Sequence, residues 1–281
     1  MADMIAPKIV MVHLASMAMM FCLTGCASHP SSQRPTPATA PADRGAPFDA
    51  YRAMADALES EDAAAYRAAA YADGQAGRKS IDDLAKSISA WAGFEQAAEH
   101  EFGPAETKEL IARLGLPRPR EIGEKLNLDL ANELLEAYEK QAGPEEAAKA
   151  TAPFRQQDSA AGVRRWAESL PADTAAGLKS ELTQLNGDHA TVAELTYEYG
   201  QPAYADGRWK IDVSRSGEWS RIRAAGAQDP AAAARIRVLE QTTARIRSGQ
   251  YHSAAEVTDA MMRALVGADQ DAGGSHAPSR Q

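Results

Sequence analysis

The stretch Tyr204-Ala205-Asp206-Gly207-Arg208-Trp209-Lys210-Ile211-Asp212-Val213 (YADGRWKIDV, residues 204–213) decides the fold. Asp-Gly separates two runs in which apolar and polar residues alternate, and glycine accepts the positive φ that a type I′ turn requires. A hairpin is therefore expected here. With a two-residue loop, Tyr204 faces Trp209 across the strands, on the same side as Ile211 and Val213. Pro202 places its own strand at an edge, or at the point where a strand begins. Upstream, residues 191–199 (TVAELTYEY) are mostly apolar at odd positions and polar at even ones, the period of a half-buried strand. A small antiparallel sheet is thus expected near residues 188–214.

Outward from this sheet the period becomes helical. Phe48, Tyr51, Met54, Ala55 and Leu58 recur at three and four, and Ser60-Glu61-Asp62 reads as an N-cap and acidic first turn opening a second helix. Residues 73–77 (DGQAG) break the chain. Ser80 then opens a longer helix with a stripe of Ile81, Leu84, Ile88, Trp91, Phe94, Ala98 and Phe102, ended by Gly103-Pro104. Further helices are expected around residues 108–114, around 121–141, and over a segment containing Val163, Trp166 and Leu170, with Pro117, Pro119 and Gly143-Pro144 as punctuation. Residues 174–185 fit either period. After the sheet, Asp229-Pro230 opens a helix with Ile236, Leu239, Thr243 and Ile246 inward, closed by Gly249. Ser253-Ala254-Ala255-Glu256 is a capping box for a final helix using Val257, Met261 and Leu265. Helices, a small sheet and a helical pair give an α+β class, mainly helical, with helices on both sides of the sheet in sequence. The expected folded domain is 48–266, followed by a disordered tail over 267–281.

The 281-residue chain has a net charge of −9 and is 6% aromatic, a balance that argues against nucleic-acid binding. Residues 9–25 form an apolar run after Lys8, with the layout of an export signal; the run is short for a spanning helix and is interrupted by His13 and Ser16. At its end Leu23-Thr24-Gly25-Cys26 resembles the lipobox of bacterial lipoproteins. That resemblance implies cleavage after residue 25, a diacylglyceryl group on the sulfur of Cys26, and loss of Cys22 with the signal peptide (1–25). Ala27, where a retention-type Asp would suggest the inner membrane, favours the outer membrane of a double-membraned bacterium. An ordinary cleaved signal or an anchor helix is the alternative. With Cys26 lipidated the mature chain has no free thiol, so thiol-redox and cysteine-metal chemistry drop out together. Residues 26–47, the lipidated cysteine followed by a segment rich in Pro, Ser, Thr and Ala, read as a disordered tether; at about 3.1 Å per residue it reaches roughly 60 Å.

Residues 48–70 and 187–213 together resemble the NTF2-like group, with Gly187-Asp188-His189-Ala190-Thr191-Val192 and Asp206-Gly207-Arg208-Trp209-Lys210-Ile211-Asp212 in the places of that group's late strands. About a hundred largely helical residues between the two segments depart from its pattern. The resemblance implies a bent sheet around N-terminal helices. It does not fix a function, since such folds host enzymes, binders and inert modules.

Several clusters carry residue types capable of chemistry. Glu95, Glu99, His100 and Glu101 could ligate a metal, but the apolar stripe beside them places the acids on a solvated face, and no metal or cofactor is expected. His189 beside Asp188 could transfer a proton, but a polar turn before a strand is the commoner explanation of such a pair. Tyr197, Glu198, Tyr204 and Trp209 would line the pocket of an NTF2-like cone, and Glu194 with Glu198 would share one strand face. Arg221, Arg223, Arg235, Arg237, Arg245 and Arg247 are solvated, paired, or a surface for anionic partners. Trp91, Trp166, Trp209 and Trp219 read as core anchors. No residue is expected to be catalytic. The reading this favours is a lipoprotein held on the membrane through Cys26, exported, with a non-catalytic domain that meets an envelope protein or polymer; the alternative is an NTF2-like small-molecule binder or hydrolase-like enzyme.

Overall fold

The computed structural model describes residues 43–116, 118–154, 159–214 and 230–273. Helices dominate and a small sheet is inserted late, the α+β organisation expected from the pattern. In chain order the elements are α1 (Ala46–Glu59), α2 (Ala63–Ala69), β1 (Ala70–Tyr71), α3 (Gly74–Phe102), α4 (Pro104–Leu114), α5 (Pro119–Ala142), α6 (Pro144–Thr151), α7 (Ser159–Ser169) and α8 (Ala172–Leu182). They continue with β2 (Thr183–Asn186), β3 (His189–Val192), α9 (Leu195–Tyr199), β4 (Gln201–Ala205), β5 (Arg208–Asp212), α10 (Pro230–Arg247) and α11 (Ala254–Gly273).

The hairpin forms as the sequence requires. Asp206 and Gly207 have φ of 51° and 79°, both positive as in a type I′ turn, and Tyr204 pairs with Trp209. Three of the sheet's four pairings are antiparallel; the fourth is parallel, because β1 lies beside β5 in the order β1-β5-β4-β3-β2. The sheet is therefore mixed, and it reaches back to residue 70. β2 resolves the ambiguous segment 174–185: a helix to Leu182 passes directly into a strand, which turns at Gly187 (φ 65°) into β3.

One detail of the strand reading is corrected. Residues 191–199 are strand only to Val192; after Ala193 at φ 39° the chain makes the short helix α9. Leu195 and Tyr199, four apart, are buried while Tyr197 between them is 87% exposed, so the helical period wins over alternation. Of the two places open to Pro202 the structure takes the second: β4 has β3 and β5 on its two sides, and Pro202 stands where the strand begins, one residue after Gln201. It is tolerated opposite Ile211, at a position whose missing N–H would point away from β5. Its neighbour Tyr204 donates its N–H in that outward direction, to the Asp188 carbonyl.

Helix starts differ in the same local way. Ser60 is the C-cap of α1, donating to the Asp56 carbonyl at 2.6 Å, and Asp62 caps α2 by accepting from Ala64 and Ala65 N–H at 2.9 Å each. Helix α3 begins at Gly74, so the Gly-containing stretch is its first turn; Ser80 lies inside it and donates to the Ala76 carbonyl. The capping box at Ser253 is present: Ser253 Oγ accepts from Glu256 N–H at 3.3 Å, and the Glu256 carboxylate accepts from His252 N–H at 2.8 Å. Helix α11 continues to Gly273, into the stretch read as a tail.

The apolar stripes build two clusters along α3. Ile81, Ala85 and Ile88 join α1, α2, α5, α7, α8 and the sheet in the larger one. Ala90, Trp91, Phe94, Ala97 and Ala98 join α4, α10 and α11 in the smaller one. At the centre of the larger cluster α1 is sandwiched. It packs against β3, β4 and β5 on one side and against α5 on another, with Phe48, Tyr51, Met54 and Leu58 fully buried.

The α1–α5 crossing is closest at Gly123, where a Cβ would lie 2.4 Å from Glu59 N, 2.6 Å from the Ala55 carbonyl oxygen and 2.9 Å from Leu58 Cβ. A mid-helix glycine costs about 1 kcal/mol relative to alanine, and here it permits backbone contact. Gly123→Ala should therefore lower stability by about 2–3 kcal/mol despite the better helix propensity. Gly177→Ala in α8, whose Cβ would meet open space, should be neutral or slightly stabilising. Thermal melts of the two variants check this; equal midpoints would contradict the close crossing.

Candidate functional site

Of the residues expected to line a pocket, the structure brings Tyr204 and Trp209 together. Their rings meet edge-to-face at 5.6 Å, and Trp209 is 8% exposed with Nε1 buried and no hydrogen-bond partner among the described residues. This is packing, not a cavity wall. Tyr197 stands on the surface of α9, and Glu198 turns to Lys125 of α5. Glu194 precedes α9, so it relates to Glu198 as one helical turn instead of as a shared strand face. His189 Nδ1 lies 2.8 Å from Asp188 Oδ1 at the turn from β2 to β3, with both side chains exposed. Cys26, Trp219, Arg221 and Arg223 lie outside the described residues.

Glu198 belongs to a polar staple between α5 and α9. Lys125 Nζ donates to Glu198 and, at 2.8 Å, to the Tyr199 hydroxyl; that hydroxyl donates to Asp129, which is 3.2 Å from Lys125. Burial and the bond to Asp129 push the Tyr199 pKa up. Burial opposes the charge on Lys125, but the bonds from Glu198 and Tyr199 outweigh it and raise its pKa. Behind the staple, the buried Tyr51 hydroxyl donates to the Gly200 carbonyl and lies 3.3 Å from Thr196 Oγ1, which accepts the Val192 N–H. Every member faces an internal partner.

Glu95 corrects the expectation of a solvated acidic face. It is only 15% exposed and accepts from Arg118 Nη2 at 2.8 Å and from Arg120 Nη1 at 2.9 Å, while Glu99, His100 and Glu101 are exposed as expected. Arg118 also lies over the Trp91 ring at 5.6 Å. Glu61, at φ 54° between α1 and α2, is buried 3.5 Å from Arg118 without a hydrogen bond on Oε1. Burial, then the Glu95 carboxylate, raise its pKa against the pull of Arg120 and Arg118.

A cleft lies between α1, α5 and α7. It has a volume of about 240 Å³ and is lined by Arg52 and Asp56, Asn127 and Ala131, and Arg164 and Glu168. Each helix contributes two residues one turn apart. Two walls are fixed by Glu59: Arg164 Nη2 donates to both its oxygens, at 3.0 and 2.9 Å, and Asn127 Nδ2 donates to Oε2 at 2.7 Å. Asn127 Nδ2 also reaches Asp56 Oδ1 at 3.2 Å. The Tyr138–Trp166 contact, edge-to-face at 5.5 Å, holds α7 against α5 further along.

Sequence reading missed this cleft. Each i, i+4 pair is visible along its own helix, yet nothing local shows that the three helices converge. Among the described residues, no group of three or more His, Cys, Asp or Glu is arranged to hold a metal ion. No family model, no curated protein and no solved structure matches the chain.

Glu95 and Glu61 should behave oppositely. Glu95→Gln removes the carboxylate that Arg118 and Arg120 share, leaving only Glu61 beside Arg118, and should cost about 2–3 kcal/mol. Glu61→Gln removes a charge that burial disfavours and should be neutral or stabilising. Because folding raises the Glu61 pKa, its ionisation costs stability above that pKa, and the cost disappears as pH falls toward the ordinary 4.5. Wild type should therefore gain stability relative to Glu61→Gln over that descent. Denaturant melts at several pH values check both expectations, and a Glu61→Gln loss as large as that of Glu95→Gln would contradict them.

Proposed function

We propose that this protein is a lipoprotein held on a membrane through lipid on Cys26, with a folded domain that acts as a non-catalytic interaction or structural module of the cell envelope. The observation that carries this reading is Leu23-Thr24-Gly25-Cys26 at the end of the apolar run 9–25. One acyl chain binds a membrane marginally, each buried CH₂ adding about 0.8 kcal/mol, whereas two or more make attachment persistent. The segment rich in Pro, Ser, Thr and Ala after Cys26 then gives the domain reach to a protein or polymer of the envelope. Ala27 in place of an Asp supports the outer membrane where there are two.

The non-catalytic part is supported by how the chain uses its polar groups. The 190–213 segment, where a pocket of the NTF2-like kind would be lined, commits Glu198 to Lys125 and packs Trp209 against Tyr204. Arg237, Arg245 and Arg247 of α10 are exposed and put positive charge on the surface for a polymer or protein partner.

In cells given labelled palmitate, the full chain should incorporate the label. Cys22→Ser should retain it and Cys26→Ser should lose it. Label persisting in Cys26→Ser, or lost in Cys22→Ser, would contradict the anchor.

A further inference from the structure

We infer that the cleft between α1, α5 and α7 binds a small zwitterion of the α-amino-acid type, its carboxylate on Arg52 and its ammonium on Asp56 and Glu168. The inference is independent of the lipid anchor. It begins with Arg52, whose Nε is buried in the cleft wall with no hydrogen-bond partner among the described residues. Nε itself is closed to solvent, but no carboxylate of the described residues pairs with this permanently charged guanidinium, and an incoming carboxylate would meet its outer nitrogens in charge-assisted bonds.

The other lining groups define what accompanies that carboxylate. Arg164 is occupied by Glu59, and the Asn127 amide by Glu59 and Asp56, so these form fixed walls. Asp56 accepts only through Oδ1 from Asn127 and keeps its second oxygen. Glu168 lies one turn beyond Arg164 at the exposed rim. With Glu59 neutralising Arg164, the open charges are one guanidinium against two carboxylates. A phosphate or other dianion would gain Arg52 but face both carboxylates, and a simple amine would leave Arg52 unmet. A ligand carrying both signs a few bonds apart satisfies all three.

Size and polarity narrow the class further. The cleft is smaller than the roughly 300–1,000 Å³ of drug-sized sites, and Ala131 is its one apolar lining residue. Small polar amino acids and short dipeptides fit this description better than residues with long apolar side chains. The close crossing at Gly123 sets the distance between the Arg52–Asp56 and Asn127–Ala131 walls, so the cavity is preformed by the packing.

Equilibrium dialysis of the full chain in detergent against radiolabelled L-serine and glycylglycine tests the assignment. Saturable binding is expected for at least one of them. Acetate and ethylammonium, each carrying half the charge pattern, should compete at least tenfold more weakly, and inorganic phosphate should not displace the label. Arg52→Met, which keeps the aliphatic stem, and Glu168→Gln should each weaken binding about tenfold or more. Arg165→Ala, on the exposed face of α7, should leave it unchanged. Should Arg52→Met fail to fold by circular dichroism, Glu168→Gln at the rim carries the test. No saturable binding of either probe, displacement by phosphate, or full binding by a folded Arg52→Met or Glu168→Gln would overturn the proposal. The palmitate result stands or falls separately.

Discussion

The backbone contact between α1 and α5 at Gly123 is the constraint on which the rest of the domain depends. It brings Glu59 and Ala55 of α1 within van der Waals reach of a helix that has no side chain there to keep them apart. Once α1 is seated, its other face receives the sheet, and Phe48, Tyr51, Met54 and Leu58 leave solvent entirely, each burial contributing about 1.5–3 kcal/mol. The polar bonds around the crossing follow from the same geometry. Arg120 donates to the Glu59 carbonyl, Asn127 reaches Glu59 and Asp56, and Lys125 reaches Glu198 on α9. A one-methyl change at residue 123 is therefore felt on three sides of α1.

Around this centre the molecule is extended by α3, a helix of 29 residues and so about 44 Å long, which feeds one cluster with its first half and another with its second. The seam between the clusters is where Glu61, Glu95, Arg118 and Arg120 collect. Buried ions of this kind add little net stability, because desolvation offsets their attraction, but a mispacked arrangement would strand them. They fix how α3 meets the α1–α2 turn and the start of α5. The cleft uses the other flank of α1, so the same helix carries the packing on one side and the open charges of Arg52 and Asp56 on another.

Much of this was legible in the sequence, and particular residues show where legibility stopped. Asp206-Gly207 specified its turn, the Tyr204–Trp209 register followed from it, and the stripes of α3, α5, α10 and α11 were readable because each is long and periodic. Short elements failed for a common reason: over five residues a period of two and a period of four share positions, and at Leu195, Tyr197 and Tyr199 only burial of the first and last separates them. The strand at Ala70–Tyr71 has no local signal, since it exists only because β5 offers a free edge beside it. Glu95 was misplaced because its partners Arg118 and Arg120 come from the residue before α5 and from its first turn, which sequence pattern could not position. The cleft was hidden for that reason too, being made of three unremarkable helical turns from distant parts of the chain.

If the α1–α5 crossing governs the fold, its amides should be the last to open. Native-state hydrogen exchange, followed residue by residue, tests this directly. Amides of the buried turns of α1 and of α5 around Leu126 and Leu130 are expected to exchange only through global unfolding and with one shared free energy, while those of α4, α10 and α11 open earlier. Exchange from α1 that is faster than from α10 would contradict the account, and would move the organising centre of the domain to the smaller cluster.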